Sequence, residues 1–417
     1  MKPLNLICLV VDKLQTGMLG AYGNTWIHTP EIDRLASSAF VLDQAFADDV
    51  RLERVYRALW RGLHTLEADD THAAGASLIE RLAAAGMHTT LLTDDDAVYQ
   101  LPLAAHFGER QHIEPPAVER LAAELEDTQL AHFFATASEW LSAPPDSFCL
   151  WLHTRGMGGP WDAPLELRQQ YADPEDPPSP DFTAVPAMEL GDDADPDKLL
   201  GIAHAYAAQV SVLDTCIGAL VDAIEESGLA DNTLLLLLSA RGFALGEHRR
   251  VGADDGRLFG ETTHLAWMLR FPGGLGGAAR SQALVQPADL PATILDWLGL
   301  PADPALASTT ISAILSQSQS LLPLVTAEAE SLREVLVSVS PTEDALRTSA
   351  WLLKMPLADQ SGAAELYVKP SDRYEVSEVA NRCPDVASTL QKMLAEVLQT
   401  GQIPAATLAE ALTVPVD

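Results

Sequence analysis

Two side chains able to do chemistry, Ser239 and Arg241, follow a run of five leucines at residues 234–238. A serine hydroxyl could act as a nucleophile, and a guanidinium could hold an anion. The leucine run has the length of a strand buried on both faces, which is typical of the centre of a parallel sheet. Ligands bind such sheets at the carboxyl ends of the strands. The sequence therefore predicts a functional site directly after residue 239.

Two other apolar runs also end in polar residues. One ends in Asp12, which Lys13 follows, and another ends in His153. A lone histidine at a strand end is as often hydrogen-bonded structure as a ligand contact. Residues 94–96 are three aspartates after a further predicted strand, and we interpret them as a solvated turn. Asp12, Lys13 and His153 thus lie at or just after the ends of predicted strands.

The composition describes a large and strongly acidic globular protein. The chain has 417 residues, 47% of them hydrophobic, and a formal net charge of -33. Because phosphate binding needs a cationic surface, this charge disfavours nucleic acid and anionic membranes as partners. Cys8, Cys149, Cys216 and Cys383 lack metal-type spacing and indicate thiols in a reducing compartment.

The N-terminal segment has features of both a signal peptide and a first strand. Its apolar stretch at residues 4–11 is followed at once by the charged Asp12 and Lys13, with no small-residue cleavage site. We therefore interpret the stretch as a strand. In the sequence, no run approaches the ~20 apolar residues that span a bilayer. We expect a cytoplasmic protein without a membrane partner.

The segment after the first strand carries the most specific motif in the chain. It reads G-M-L-G-A-Y-G-N-T-W-I-H-T-P-E-I-D-R-L-A over residues 17–36. This resembles the L-G-x-Y-G and T-P-N-I-D-x-L-A motifs of the sulfatases, a family of the alkaline phosphatase superfamily. The matching residues are Leu19, Gly20, Tyr22, Gly23, Thr29, Pro30, Ile32, Asp33, Leu35 and Ala36.

Later segments resemble the same family. Ser239, Gly242 and the G-E-H of residues 246–248 match its late strand, which reads S-D-H-G and then G-E-H. R-T-S-A-W-L-L-K at residues 347–354 and E-L-Y-V-K-P-S-D-R-Y-E at residues 365–375 resemble its C-terminal part. The resemblance implies an α/β fold, with a large and mostly parallel sheet flanked by helices and a small C-terminal α+β subdomain.

The domain organisation is predicted from these patterns. Residues 1–327 are expected to form the α/β core, and residues 328–417 a subdomain with a small antiparallel sheet and a helix. Its strands are predicted at residues 334–339, 346–355 and 364–368, and its helix at residues 383–398. Residues 171–198 are rich in Pro and Asp and predict a long exposed loop. A long amphipathic helix is predicted at residues 199–225.

The residues that carry sulfatase chemistry are replaced in this chain. The resemblance implies a cysteine, oxidised to formylglycine, where Leu52 stands, with a proline at Arg54 and an arginine at Tyr56. It also implies a second histidine where Gly158 stands. A leucine side chain can neither form an aldehyde nor coordinate a cation. We therefore expect no catalytic residue at this position.

The calcium ligands that the resemblance implies are also missing. In sulfatases Ca²⁺ lies among two aspartates of the first strand, the formylglycine, and an aspartate with its polar neighbour on the late strand. The chain retains only Asp12, with Lys13, Ala240 and Arg241 at other ligand positions. Because Ca²⁺ takes six to eight oxygen ligands, we expect no metal and no other cofactor. Our hypothesis is that Lys13 and Arg241 replace the ion by pairing with Asp12.

Three functions are compatible with these residues. The favoured one is a catalytically inactive sulfatase-like protein with a binding or regulatory role, whose partner is an unknown protein or a small anionic ligand. In the second, the cationic side chains bind a sulfate or phosphate group without cleaving it. In the third, an ester hydrolase uses a relocated, metal-free mechanism with Ser239 as nucleophile. The predicted vestigial or anion-binding cleft comprises Asp12, Lys13, Arg54, His153, Ser239, Arg241 and His248.

Overall fold

The chain divides into two compact units, each built from segments that are distant in sequence. The computed structural model describes residues 4–67, 75–253, 256–301, 318–357 and 363–400. The first unit comprises Met1–Asp43, Ile79–Ala253 and Leu265–Arg280, and the second comprises Gln44–Leu78, Asp254–His264 and Ser281–Asp417. The boundary predicted between residues 327 and 328 stays a prediction. Residues 401–417 of the predicted subdomain lie outside the described residues.

The strands of the described residues are numbered in chain order. They are β1 (Asn5–Val11), β2 (Phe40–Ala45), β3 (His88–Thr93), β4 (Glu109–His112), β5 (Phe148–Thr154), β6 (Met188–Glu189), β7 (Thr233–Ser239), β8 (Ala244–Leu245), β9 (Arg250–Gly252), β10 (Trp267–Arg270), β11 (Arg280–Val285), β12 (Val335–Val339), β13 (Glu343–Thr348), β14 (Trp351–Pro356) and β15 (Glu365–Val368).

The α-helices of the described residues are numbered in the same way. They are α1 (Pro30–Ser38), α2 (Leu52–Arg61), α3 (Leu78–Ala84), α4 (Asp96–Tyr99), α5 (Gln129–Leu141), α6 (Leu165–Gln169), α7 (Pro196–Glu226), α8 (Gly260–Thr263), α9 (Asp289–Trp297), α10 (Leu322–Val325) and α11 (Pro384–Thr400).

One eight-stranded sheet has the order β11-β2-β10-β7-β1-β5-β3-β4. β1 pairs in parallel with β5 and β7, and β3 pairs in parallel with β4 and β5, whereas β10 runs antiparallel to β2 and β7. Every residue of β1, β5 and β7 is buried. The apolar runs therefore form the centre of a mostly parallel sheet, as predicted, because such strands are covered by helices on both faces.

The long helix α7 packs against α1, α5 and α6 in the first unit. Its bounds agree with the helix predicted at residues 199–225. By length and composition α7 alone among the described helices could cross a membrane, but 72% of its most apolar 18-residue window is buried inside the structure. Packing against neighbouring helices therefore accounts for its apolar composition.

The acidic loop at residues 171–198 is attached to the first unit by a buried arginine. Arg168 donates to the backbone oxygens of Pro180, Trp161 and Phe182 at 2.7, 2.6 and 3.0 Å. Burial lowers the pKa of Arg168 to about 10. The same segment contains β6, which pairs with β9. It is therefore partly regular structure, whereas the sequence predicted an exposed loop throughout.

The second unit contains a four-stranded antiparallel sheet in the order β12-β13-β14-β15. α11 contacts β13 and β14, and the predicted C-terminal sheet and helix are confirmed. One strand prediction, at residues 346–355, is wrong because a tight turn divides it into β13 and β14. Thr348 Oγ1 accepts the backbone N–H groups of Ala350 and Trp351 at 3.2 and 3.0 Å. This side-chain turn lacks the Gly or Asn that usually marks a hairpin in a sequence.

A buried carboxylate on α7 holds the first turn of α1. Asp214 accepts the backbone N–H groups of Ile32 and Glu31 at 2.8 and 3.2 Å. These are two of the N–H groups that lack a partner within their own helix. Burial raises the pKa of Asp214 to about 6, against the effect of the two hydrogen bonds. The Asp214 carboxylate therefore positions α1. It also binds a proton more readily in the folded protein than in the unfolded chain.

We expect Asp214→Asn to change the pH dependence of stability. The folded pKa of Asp214 lies above the usual value for an unfolded aspartate, about 3.9. Its contribution to stability is therefore complete below about pH 4 and is lost as the pH rises through about 6. In urea denaturation, the wild type should lose free energy of unfolding relative to Asp214→Asn over this range. The exposed control Asp231→Asn should show no such trend, and a pH-independent difference for Asp214→Asn would contradict the assignment.

Candidate functional site

Asp12 and Arg241 form a bidentate ion pair in the first unit. Arg241 Nε donates to Asp12 Oδ1 and Arg241 Nη2 donates to Asp12 Oδ2, each at 2.9 Å. The side chain of Asp12 is 4% exposed and that of Arg241 is 14% exposed. Two parallel hydrogen bonds of this kind match the planar fork of a guanidinium to a carboxylate. Of the predicted pairing of Lys13 and Arg241 with Asp12, the contact between Arg241 and Asp12 is present in the structure.

The central sheet brings these two side chains together. Asp12 directly follows β1, Arg241 lies two residues beyond β7, and the last residues of the two strands, Val11 and Ser239, are in register. Ala240 N donates to Val11 O at 2.9 Å, which continues the pairing past the strand ends. The pair thus lies at the carboxyl ends of parallel strands, where ligands bind in this class of sheet.

Lys13 has a left-handed backbone conformation that a tyrosine holds in place. Its φ is 59°, and such a conformation costs about 1–3 kcal/mol for a residue other than glycine. The Tyr206 hydroxyl donates to Lys13 O at 2.9 Å and accepts from Gln15 N at 2.8 Å. Burial raises the pKa of Tyr206, so its hydroxyl keeps the proton that it donates. Tyr206 is a positioning residue that the sequence alone did not indicate.

Gly158 leaves room for the side chain of Lys13. A Cβ atom on Gly158 would lie 3.1 Å from Lys13 Cδ, 3.5 Å from Lys13 Cε and 3.7 Å from Asp12 Oδ2. A histidine at this position, as the family resemblance implies, would compete with the lysine stem for the same space. The glycine at position 158 and the lysine at position 13 are therefore sterically compatible with each other.

His153 faces an aspartate that the sequence analysis set aside. His153 lies on β5, is fully buried, and has Nε2 at 3.5 Å from Asp95 Oδ2. Burial by itself would raise the pKa of Asp95, but the interaction with His153 lowers it below the usual range. Asp94 is buried and accepts Arg155 N at 2.8 Å, and burial raises its pKa. The prediction of a solvated turn is wrong for Asp94 and Asp95, because β3 ends beside β5 in the sheet.

Ser239 has a structural contact at the end of β7. Its Oγ accepts Ala266 N at 2.8 Å and its own N–H donates to Ala266 O at 2.9 Å. The side chain is fully buried. His248 lies in a short turn at Glu247–Arg249, is half-buried and has a left-handed φ of 49°. Of the predicted cleft residues, the structure thus joins Asp12 to Arg241, and the Lys13 stem and Asp12 Oδ2 both lie beside Gly158.

The predicted nucleophile segment forms α2 in the second unit. Leu52 is the first residue of α2, and Leu52 and Arg54 are both half-buried. Tyr56 is fully buried, and its ring centroid lies 4.4 Å from that of Trp60. The helix therefore presents a hydrocarbon side chain at position 52 and packs the tyrosine into the core of this unit.

The residues around Asp12 do not fit a divalent cation. Both oxygens of Asp12 accept hydrogen bonds from Arg241. In the part of the chain that the structure describes, no three His, Cys, Asp or Glu side chains are arranged as a metal site. Ca²⁺ takes six to eight oxygen ligands at about 2.3–2.6 Å. We therefore assign no chemical step to a metal.

Comparison with known proteins places the chain among sulfatases by sequence. A protein-family model described as Sulfatase matches residues 4–300. The chain is 30% identical over 111 residues to N-acetylglucosamine-6-O-sulfatase of Bacteroides thetaiotaomicron, covering 26% of this chain and 19% of that protein. It is 24% identical over 332 residues to iduronate 2-sulfatase of Homo sapiens, covering 65% of this chain and 60% of that protein. The matches thus span less than two thirds of the length of these relatives.

Solved structures share the fold over nearly the whole chain. The phosphonate monoester hydrolase of Agrobacterium radiobacter has a TM-score of 0.74 at 16% identity, covering 95% of this chain and 96% of that chain. BT4656 in complex with its substrate D-glucosamine-2-N,6-O-disulfate has a TM-score of 0.74 at 17% identity, covering 98% and 99%. At this level of identity the likeness shows the fold alone.

Removing both partners of the Asp12–Arg241 pair is expected to cost less than the sum of the two single removals. Asp12→Asn and Arg241→Met should each lower the free energy of unfolding by about 3–5 kcal/mol, because each leaves a buried charge uncompensated. The double variant should show a coupling energy of about 1–3 kcal/mol. Urea denaturation of all four proteins measures the cycle.

The exposed pair of Arg34 and Asp222, at 2.7 Å, is the matched control. Its coupling energy should be below about 1 kcal/mol, because water screens exposed charges. Additive effects at Asp12 and Arg241 would show that the two side chains do not stabilise each other.

Proposed function

We propose that this chain, which belongs to the sulfatase family, is a non-catalytic member with a binding or regulatory role. The observation that carries the proposal is the bidentate pair of Asp12 and Arg241. In this proposal the guanidinium replaces a divalent cation as the counter-charge of a buried carboxylate. The partner is a protein or a small anionic ligand.

The electrostatics around Asp12 support the proposal. A divalent cation at ~4 Å from one guanidinium would be repelled by about 8 kcal/mol at an effective dielectric constant of about 20. Lys13 adds a second positive charge beside Gly158. One carboxylate, already paired, supplies too little negative charge and too few oxygens to offset this repulsion. A metal could bind only if Arg241 left Asp12.

The nucleophile position supports the same proposal. Leu52 stands where the family resemblance implies a cysteine, and residues 41–64 contain no Ser, Thr or Cys. A hydrocarbon side chain cannot attack sulfur or phosphorus. The missing nucleophile therefore supports the same proposal as the missing metal ligands.

The two alternatives have weaker support. A metal-free hydrolase would need a base hydrogen-bonded to Ser239, but the hydrogen bond of this hydroxyl is to the backbone N–H of Ala266. An anion binder would use the charge of Arg241, which Asp12 already neutralises. Neither alternative explains why Arg241 donates two parallel hydrogen bonds to Asp12.

Restoring the ligands should restore calcium binding. The variant Lys13→Asp, Ala240→Asp, Arg241→Asn places three carboxylates and one neutral polar side chain at the ligand positions that the resemblance implies. Isothermal titration should detect Ca²⁺ binding by this variant and none by the wild type, because the repulsive charges are gone. Arg241→Met is the matched control, which removes one cation without adding oxygen ligands, and it should not bind Ca²⁺.

Wild-type protein should release no sulfate from aryl sulfates and no phosphate from aryl phosphates above the buffer blank, with or without Ca²⁺ or Mn²⁺. Turnover that Ser239→Ala abolishes would support the metal-free hydrolase instead. Binding of inorganic sulfate that Lys13→Gln abolishes would support the anion binder. Calcium binding by the wild type would contradict the proposal directly.

A further inference from the structure

A histidine is buried where three segments of the first unit meet. His204 lies on α7 and is 2% exposed. The ring centroid of Trp26, from the segment before α1, lies 5.9 Å from that of His204. The third segment is residues 171–180 of the acidic loop, which we call the strap. His204 is therefore in contact with parts of the chain that are distant from it in sequence.

The strap lies antiparallel along α7, and both of its ends contact the helix. The Tyr171 hydroxyl is hydrogen-bonded to Ser211 Oγ at 2.5 Å. At the other end, Pro180 Cδ would lie 3.3 Å from a Cβ atom on Gly201, so the glycine admits the strap. Later residues of the strap thus contact earlier residues of α7, with His204 between the two end contacts.

The middle of the strap places a carboxylate beside His204. Asp176 Oδ2 accepts Asp173 N at 2.8 Å and lies 3.8 Å from His204 Nε2. The second distance is too long for a hydrogen bond. The contact is therefore electrostatic and depends on whether the imidazole carries a proton, which histidine gains or loses near neutral pH.

The surroundings of His204 favour its neutral form. Burial lowers the pKa of His204 below its usual value, whereas the charges of Asp176 and Asp173 raise it. Among the described residues, these two aspartates are the charged groups that act on the imidazole. Trp26 contributes an uncharged ring, and residues 200, 201, 207 and 208, one turn away on α7, have uncharged side chains. Burial therefore outweighs the attraction of the strap.

We propose that His204 is a pH sensor whose protonation releases the strap and Trp26 from α7. A neutral imidazole can stay beneath the indole, but an imidazolium needs water or a closely paired carboxylate. Asp176 lies 3.8 Å away and its side chain is 23% exposed, so it replaces the lost water incompletely. This inference requires nothing of the proposed function.

The direction of the pH effect follows from the two proton affinities. The closed strap binds a proton on His204 less readily than the open strap, in which the imidazole is hydrated. The strap is therefore closed above the usual histidine pKa of about 6.5 and opens as the pH falls below it. Opening would expose Tyr171, now 8% exposed, and the covered part of Trp26.

The test is the accessibility of Trp26 to the quencher acrylamide in the full-length protein. Because the chain has eight tryptophans, the Trp26 signal is the difference between each protein and its Trp26→Phe counterpart. Its quenching constant should rise by up to about 2.5-fold between about pH 7.5 and about pH 5.5, since the residue is now 40% exposed and would approach full exposure. The far-UV circular dichroism spectrum should not change, because the opening is local.

Two histidine variants assign the response to His204. His204→Gln should keep the low quenching constant at both pH values, because an amide takes up no proton in this range. His88→Gln is the matched control at an exposed histidine and should respond as the wild type does. A wild-type constant that is equal at both pH values, or a rise that persists in His204→Gln, would overturn the proposal.

A third variant tests the role of the strap carboxylate. Asp176→Asn keeps an oxygen that can accept Asp173 N but removes the charge that favours imidazolium in the closed strap. It should therefore open more than the wild type at about pH 5.5. This variant decides if His204→Gln fails to fold, and an equal or lower quenching constant in Asp176→Asn would refute the pH sensor.

Discussion

A carboxylate buried at the end of the central strand of a sheet must have a counter-charge. An isolated buried carboxylate costs several kcal/mol, which is a large fraction of the stability of a typical domain. Here the counter-charge is Arg241, which takes both oxygens of Asp12 at 2.9 Å. Much of the local structure follows from this need, because β1 and β7 must remain adjacent and in register for the two side chains to meet.

If an arginine replaces a metal, as we propose, the chemistry open to the site changes. Both supply positive charge to a carboxylate, but a metal ion also offers open coordination positions for a nucleophile or leaving group. A guanidinium has fixed donors, and here two of them are already used. The neighbouring residues agree with this exchange, since Gly158 admits the Lys13 stem and Tyr206 holds the Lys13 backbone. In the proposed function, the sheet of the family is thus retained with a guanidinium as the counter-charge of Asp12.

The sequence predicted the parts of the fold that depend on local pattern. The apolar runs at β1, β5 and β7 predicted the sheet. The sulfatase resemblance, which implies metal ligands where Lys13 and Arg241 stand, predicted the pairing of Asp12 with Arg241. The contacts that were missed join residues far apart in the chain. Tyr206 lies 193 residues from Lys13, and Asp95 meets His153 only because β3 and β5 are adjacent. The turn between β13 and β14 was missed because a threonine side chain, and not Gly or Asn, forms it.

A crystal structure of the purified protein grown in calcium tests the central claim most directly. The account predicts that the Arg241 guanidinium stays on both oxygens of Asp12 and that no calcium density lies against this carboxylate. A calcium ion at about 2.3–2.6 Å from an oxygen of Asp12, with Arg241 displaced, would contradict it.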